Sequence, residues 1–131
     1  MATQISEIRR RYFPSTGMFV FYQDGKEIAK KWRDGRGEMK VEGMIPDAVI
    51  RTYFEDEKGN ETDKLFAEWN YRKGKLDGKS KIYDESGQLV EVLEYQDGKL
   101  DEIVKKHYEE GHLCFESTLH NSNGQVTFKE F

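Results

Sequence analysis

The sequence predicts an all-β fold, an elongated single-layer stack of antiparallel β-hairpins, and three observations carry that prediction. The first is an internal repeat, the feature that most constrains a fold. Tyr71-Arg-Lys-Gly74-Lys75-Leu76-Asp77 lies over Tyr95-Gln-Asp-Gly98-Lys99-Leu100-Asp101 at an offset of 24 residues. The second is punctuation by glycines, with Asp-Gly and Asn-Gly pairs supplying the positive φ that tight hairpin turns demand. The third is composition: charged residues make up 35% of the 131 residues, yet aromatics reach 13%, too many for a disordered chain. Few large side chains per layer suffice to fill a thin core.

Each repeat unit holds two half-units, an aromatic, a few polar residues, a glycine, then Leu, Ile or Val. Half-units begin at Tyr71, Tyr83, Tyr95 and Tyr108, and their apolar partners are Leu76, Leu89, Leu100 and Leu113. These eight residues are the expected structural core, because stacked repeats bring equivalent side chains into line. Looser copies occur at Tyr22-Gln-Asp-Gly25, at Trp32-Arg-Asp-Gly35 with a displaced Met39, at Tyr53 with Gly59, and at Asn123-Gly124. Period-two segments between the glycines predict strands near residues 17–23, 27–33, 47–54, 64–72, 78–84, 88–95, 102–109, 112–120 and 125–130. Residues 1–16 do not follow the repeat and are expected to be an irregular leader, with residues 17–131 forming the repeat domain. Its Arg9-Arg10-Arg11 run is expected to be solvated, with contact to an acidic partner as the alternative.

Twenty-five acidic and 21 basic residues are mixed along the chain, giving a net charge of −4. No long-range positive field draws in a phosphate backbone, so nucleic acid is not an expected partner. No run of about 18 apolar residues occurs, so no membrane insertion is expected. As written the chain is expected to be cytoplasmic, or periplasmic or secreted if a leader has been removed. The single cysteine, Cys114, allows no internal disulfide.

Candidate chemistry is sparse. His107, His112, Cys114 and His120 cluster in sequence, and even positions of a strand over 112–120 share a face. His112 and His120 would nevertheless stand about 26 Å apart on extended chain, too far to share an ion. Cys114 sits between Leu113 and Phe115 near glutamates, a setting that favours the thiol over a nucleophilic thiolate. The carboxylates Asp84, Glu85, Glu109 and Glu110 fall at turns, where acidic residues serve solubility and local hydrogen bonding. The loop Glu55-Asp-Glu-Lys-Gly-Asn-Glu-Thr-Asp63 is dense in carboxylates but lacks the ligand spacing of an EF-hand. No phosphate-binding glycine loop and no nucleophile elbow is present. The expectation is therefore a non-enzyme without metal or cofactor.

With Tyr71-Arg-Lys-Gly-Lys-Leu-Asp-Gly78, Tyr83-Asp-Glu-Ser-Gly-Gln-Leu89 and Tyr95-Gln-Asp-Gly-Lys-Leu-Asp101 in view, the chain resembles the bacterial MORN-variant repeat family. Gly43-Met-Ile45-Pro-Asp47 and Ala67-Glu-Trp69-Asn-Tyr71 are similar phrases, while Ala48 and Glu102 stand where the family favours glycine, so hairpins near them are expected to be irregular. The resemblance implies a MORN-like stack of hairpins and a non-catalytic, protein-binding role, antitoxin-like in some members. Glu55, Asp56, Glu57, Glu61 and Asp63 are the expected binding residues, since irregular loops on regular scaffolds hold specificity. Sheet edges also allow a homodimer. The alternative function is an envelope protein that binds a saccharide or choline-like ligand through aromatics such as Trp32 and Trp69.

Overall fold

Alternation of apolar and polar residues produces strands throughout this chain. The structure, a computed structural model describing residues 7–131, contains twelve strands in a single sheet and no helix among those residues. The strands are β1 (Ile8–Phe13), β2 (Met18–Gln23), β3 (Lys26–Arg33), β4 (Met39–Gly43), β5 (Ala48–Glu55) and β6 (Glu61–Arg72). There follow β7 (Lys75–Leu76), β8 (Gly78–Tyr83), β9 (Leu89–Gln96), β10 (Lys99–Glu109), β11 (His112–His120) and β12 (Gln125–Glu130). The order across the sheet is β12-β11-β10-β9-β8-β6-β5-β1-β2-β3-β4, with β7 also paired to β6. The sheet is open, and β12 and β4 are its edges.

Two meanders meet at one seam. Every pairing is antiparallel except that of β1 with β5, which lie parallel with Arg9 opposite Arg51. The β2–β3, β6–β7, β9–β10 and β10–β11 turns carry Asp24-Gly25, Lys73-Gly74, Asp97-Gly98 and Glu110-Gly111, and both residues of each hold positive φ. That backbone matches the right-handed twist of the flanking strands. Three other turns share a second design. In Asp34–Glu38, Asp56–Asn60 and Asp84–Gln88 the aspartate carboxylate accepts hydrogen bonds from the amides two and four residues on. The glycine three residues on donates its amide to the aspartate carbonyl at 3.0 Å in each.

The core sits on one face, where Ile8, Phe21, Ala29, Ile45, Ile50, Ala67, Trp69, Tyr71 and Leu93 are buried. Phe21 and Tyr71 meet edge to face at 5.3 Å between centroids, although β1 and β5 lie between their strands. Neighbouring strands are about 4.8 Å apart, so a flat sheet would hold these rings much farther from each other. The sheet curls toward its core face, as a twisted sheet does to bury apolar area. Ser80 is fully buried there with no partner for its Oγ among the described residues.

Several expectations need correction. Residues 8–13 of the expected leader form β1 in the middle of the sheet, while residues 1–6 lie outside the described residues. The alternation Ile8, Arg10, Tyr12 was obscured because an arginine occupies an inward position. Met39–Gly43 is β4, where Met39 and Val41 alternate with Lys40 and Glu42 rather than continuing a loop. Of the eight repeat positions only Tyr71 is buried; Leu76, Tyr83, Leu89, Tyr95, Leu100, Tyr108 and Leu113 are half-buried, because one layer covers each side chain from one side only. Near Ala48 the pairing with Tyr71 is regular, whereas the register shifts between Leu100 and Glu102.

Candidate binding groove

Strand alternation splits the Arg9-Arg10-Arg11 run between the two faces of β1. Arg9 and Arg11 go to the outer face and find carboxylates. Arg9 reaches Glu7 at 2.7 Å and Glu61 at 3.1 Å, while Arg11 reaches Glu55 at 3.2 Å and donates to the Gly59 carbonyl. Arg51, opposite Arg9, pairs with Glu7 and Glu68, both at 3.4 Å. Burial alone would raise the Glu7 carboxyl, but hydrogen bonds from Tyr53 and Arg9 overcome it and hold Glu7 below the usual carboxylate range. A hollow on this face is lined by both signs of charge, Glu7, Asp24 and Glu61 beside Arg9 and Arg11.

Arg10 points the other way and meets no carboxylate among the described residues. It is 8% exposed. Its guanidinium lies 4.6 Å from the Phe19 ring centroid and 4.2 Å from that of Trp69, a double cation–π contact. Nη1 donates to the Tyr71 hydroxyl at 2.8 Å, and Nε is buried with no partner among the described residues. Burying a charge without an opposite charge is costly, and neutral aromatic faces offset only part of that cost.

Further cations gather beside it. Lys31 donates to the Gly74 carbonyl at 2.6 Å, from β3 to the turn after β6, so the curl brings these distant elements together. Burial, then the neighbouring charges of Lys75 and Arg10, push the Lys31 amine below its ordinary value. Arg33, Lys73 and Lys99 complete the set around a groove of about 490 Å³. Its apolar wall comes from Phe19, Met39, Val41, Tyr71 and Leu76. Asp97 is the sole carboxylate in the lining, 3.9 Å from Lys75. A chain of net charge −4 thus concentrates six cationic side chains on one concavity.

No protein-family model, curated protein or solved structure matches the chain.

The residues singled out from sequence stand apart from this groove. Glu55, Asp56, Glu57 and Asp63 are exposed at the top of the β5–β6 hairpin, and Glu61 binds Arg9 there. Asp56 organises its own turn. The loop expected to break the repeat has the same backbone plan as the turns at Asp34 and Asp84, so its acidity, not its shape, distinguishes it. His107 stacks on Phe115 at 4.6 Å, and Cys114, skipped by the register shift beside that pair, donates to the His112 carbonyl at 3.5 Å. No group of three or more His, Cys, Asp or Glu side chains gathers among the described residues. Among those residues no helix is long and apolar enough to cross a membrane. The groove itself was missed because its cations come from four segments widely separated in sequence, at residues 10, 31–33, 73–75 and 99.

Proposed function

We propose that this chain is a MORN-variant-type repeat protein acting without turnover as a protein-binding module, antitoxin-like in manner, and that the basic groove is its contact surface. The observation that carries the reading is Arg10: a nearly buried guanidinium with an unused Nε, lining a concavity that holds five more cations. An acidic segment of a protein partner supplies the missing counter-charge, and electrostatic complementarity of this kind raises association rate and selects among partners. The apolar wall supplies the desolvated area that gives a contact its affinity.

The saccharide alternative finds less support. Such ligands stack on open aromatic faces, whereas Trp69 is buried, covered by Arg10 and donates its Nε1–H to Thr52 Oγ1 at 2.9 Å.

The test is recovery of partners from the native cell by the immobilised protein and by a Lys75→Glu, Lys99→Glu variant, with mass spectrometry of what is retained. The expected result is a protein retained by the wild-type chain, released by about 0.5 M salt as screening shortens the range of the charges, and not retained by the variant. Equal retention by both proteins would remove the groove from the reading.

A further inference from the structure

One wall of the groove is a free sheet edge. Strand β4 ends the sheet, and pairs with β3 through Met39 opposite Arg33 and Val41 opposite Lys31. Cross-strand partners share a face, so Met39 and Val41 point with Lys31 and Arg33 into the groove, and all four line it. On the other side β4, exposed along its length, pairs with no further strand among the described residues, the arrangement to which an extended segment adds as a new strand. Across the groove stand Lys75 and Lys99, from the two glycine turns after β6 and β9.

From this juxtaposition we infer that β4 receives an extended acidic segment of the partner as an added strand, with carboxylates at alternate positions turned into the groove toward its cations. The inference rests on the protein-binding reading and names the chemistry of the bound segment. Backbone hydrogen bonds to β4 supply affinity that is indifferent to sequence, and the cations supply the preference for acid. Side chains on one face of a strand recur about every 6.6–7 Å, so alternate residues, and not consecutive ones, face the same wall. Nη1 is held by Tyr71, the ring faces are covered by Phe19 and Trp69, and Nε is buried, so Arg10 contributes its positive charge to the groove from beneath. Met39 and Val41, 42% and 49% exposed, would be covered by the apolar parts of the same strand.

Three capped heptapeptides serve as probes: alternating Glu and Thr, the same composition with its glutamates consecutive, and the alternating peptide with N-methyl groups on the amides that would bond to β4. Titration calorimetry and amide shifts of Met39–Gly43 read the binding, with inorganic phosphate as a fourth probe. The alternating peptide is expected to bind saturably and shift the β4 amides. The consecutive peptide, the N-methylated peptide and the Lys75→Glu variant should each show about tenfold weaker binding or less. Lys105→Glu, an exposed cation far along the sheet, should bind the alternating peptide as the wild type does. Equal binding of the N-methylated peptide, or saturable binding without shifts in β4, would overturn strand addition. Phosphate binding as tightly as the alternating peptide would overturn the acidic-segment assignment, as would β4 shifts that grow with the protein's own concentration, since a second copy would then be the occupant. If no peptide binds but Lys75→Glu still abolishes partner retention, this inference falls and the protein-binding reading stands; retention unaffected by Lys75→Glu removes both.

Discussion

The Tyr83 hydroxyl donates a 2.6 Å hydrogen bond to Glu68 Oε1, and Glu68 in turn holds Arg51. Burial, and then this bond to a carboxylate, push the Tyr83 hydroxyl up to about 12. A tyrosine in the unfolded chain ionises near 10, so the folded state favours the protonated form. Its contribution is complete below about pH 10 and disappears as pH rises toward 12. Tyr83→Phe should therefore flatten the alkaline limb of stability against pH, measured by urea midpoints from pH 8.5 to 11.5 (about one-unit steps suffice). Glu7 has the opposite sign. Its depressed value contributes stability above the usual carboxylate range that is lost as pH falls through that value, which leaves the alkaline measurement untouched. The tyrosine at 83 was legible from sequence as a repeat position but not its surroundings. It lies on the face opposite Tyr71, because consecutive half-units start on strands whose inward positions differ in parity. Arg10 was the residue least legible: three arginines in a row look solvated, and only the alternation of a strand separates one from its neighbours.

At the scale of the element, β4 depends on Gly43. The backbone there has φ +80°, and a Cβ would run into the carbonyl oxygen of Ile28 on β3, a backbone atom that cannot step aside. Gly43→Ala should lose about 2 kcal/mol through left-handed strain and the clash together. The loss would appear as a lowered urea midpoint with faster hydrogen exchange of the β3–β4 amides, while β9–β11 keep their protection. This strand was invisible to the repeat pattern because Met39 and Val41 are its sole apolar alternates and Gly43 lies where the half-unit grammar expects no glycine. The hairpins from β5 onward were legible for a plain reason. Each pairs with its chain neighbour, so the local turn signal and the global topology coincide. Strand β1 pairs on one side with a segment some forty residues away, and no local signal reports such a neighbour.

For the whole molecule, a single open sheet means that each strand depends mainly on the strands beside it. Strand β12 is exposed along its length and contributes Val126 at 65% and Phe128 at 63% exposure. A chain ending after His120 should keep its far-ultraviolet β signal and lose about 1 kcal/mol or less. Loss of cooperative unfolding in that truncation would show that the C-terminal edge is coupled to the core at Phe21 and Trp69. The all-β class and the hairpin stack followed from the repeat alone, whereas the curl did not, since it depends on which inward side chains are large on both sides of the β1–β5 seam. That parallel seam also sets an order of events during synthesis. Residues 8–43 leave the ribosome before β5 and β6 exist, so β1 has β2 on one flank and water on the other, and Arg10 keeps its hydration shell. Its stacking partner Trp69 and its acceptor Tyr71 emerge about sixty residues later, at a synthesis rate of about 5–20 residues per second. For those seconds the first meander is a provisional sheet with a charged strand at its border, and Arg10 gives up its water only when the second meander arrives.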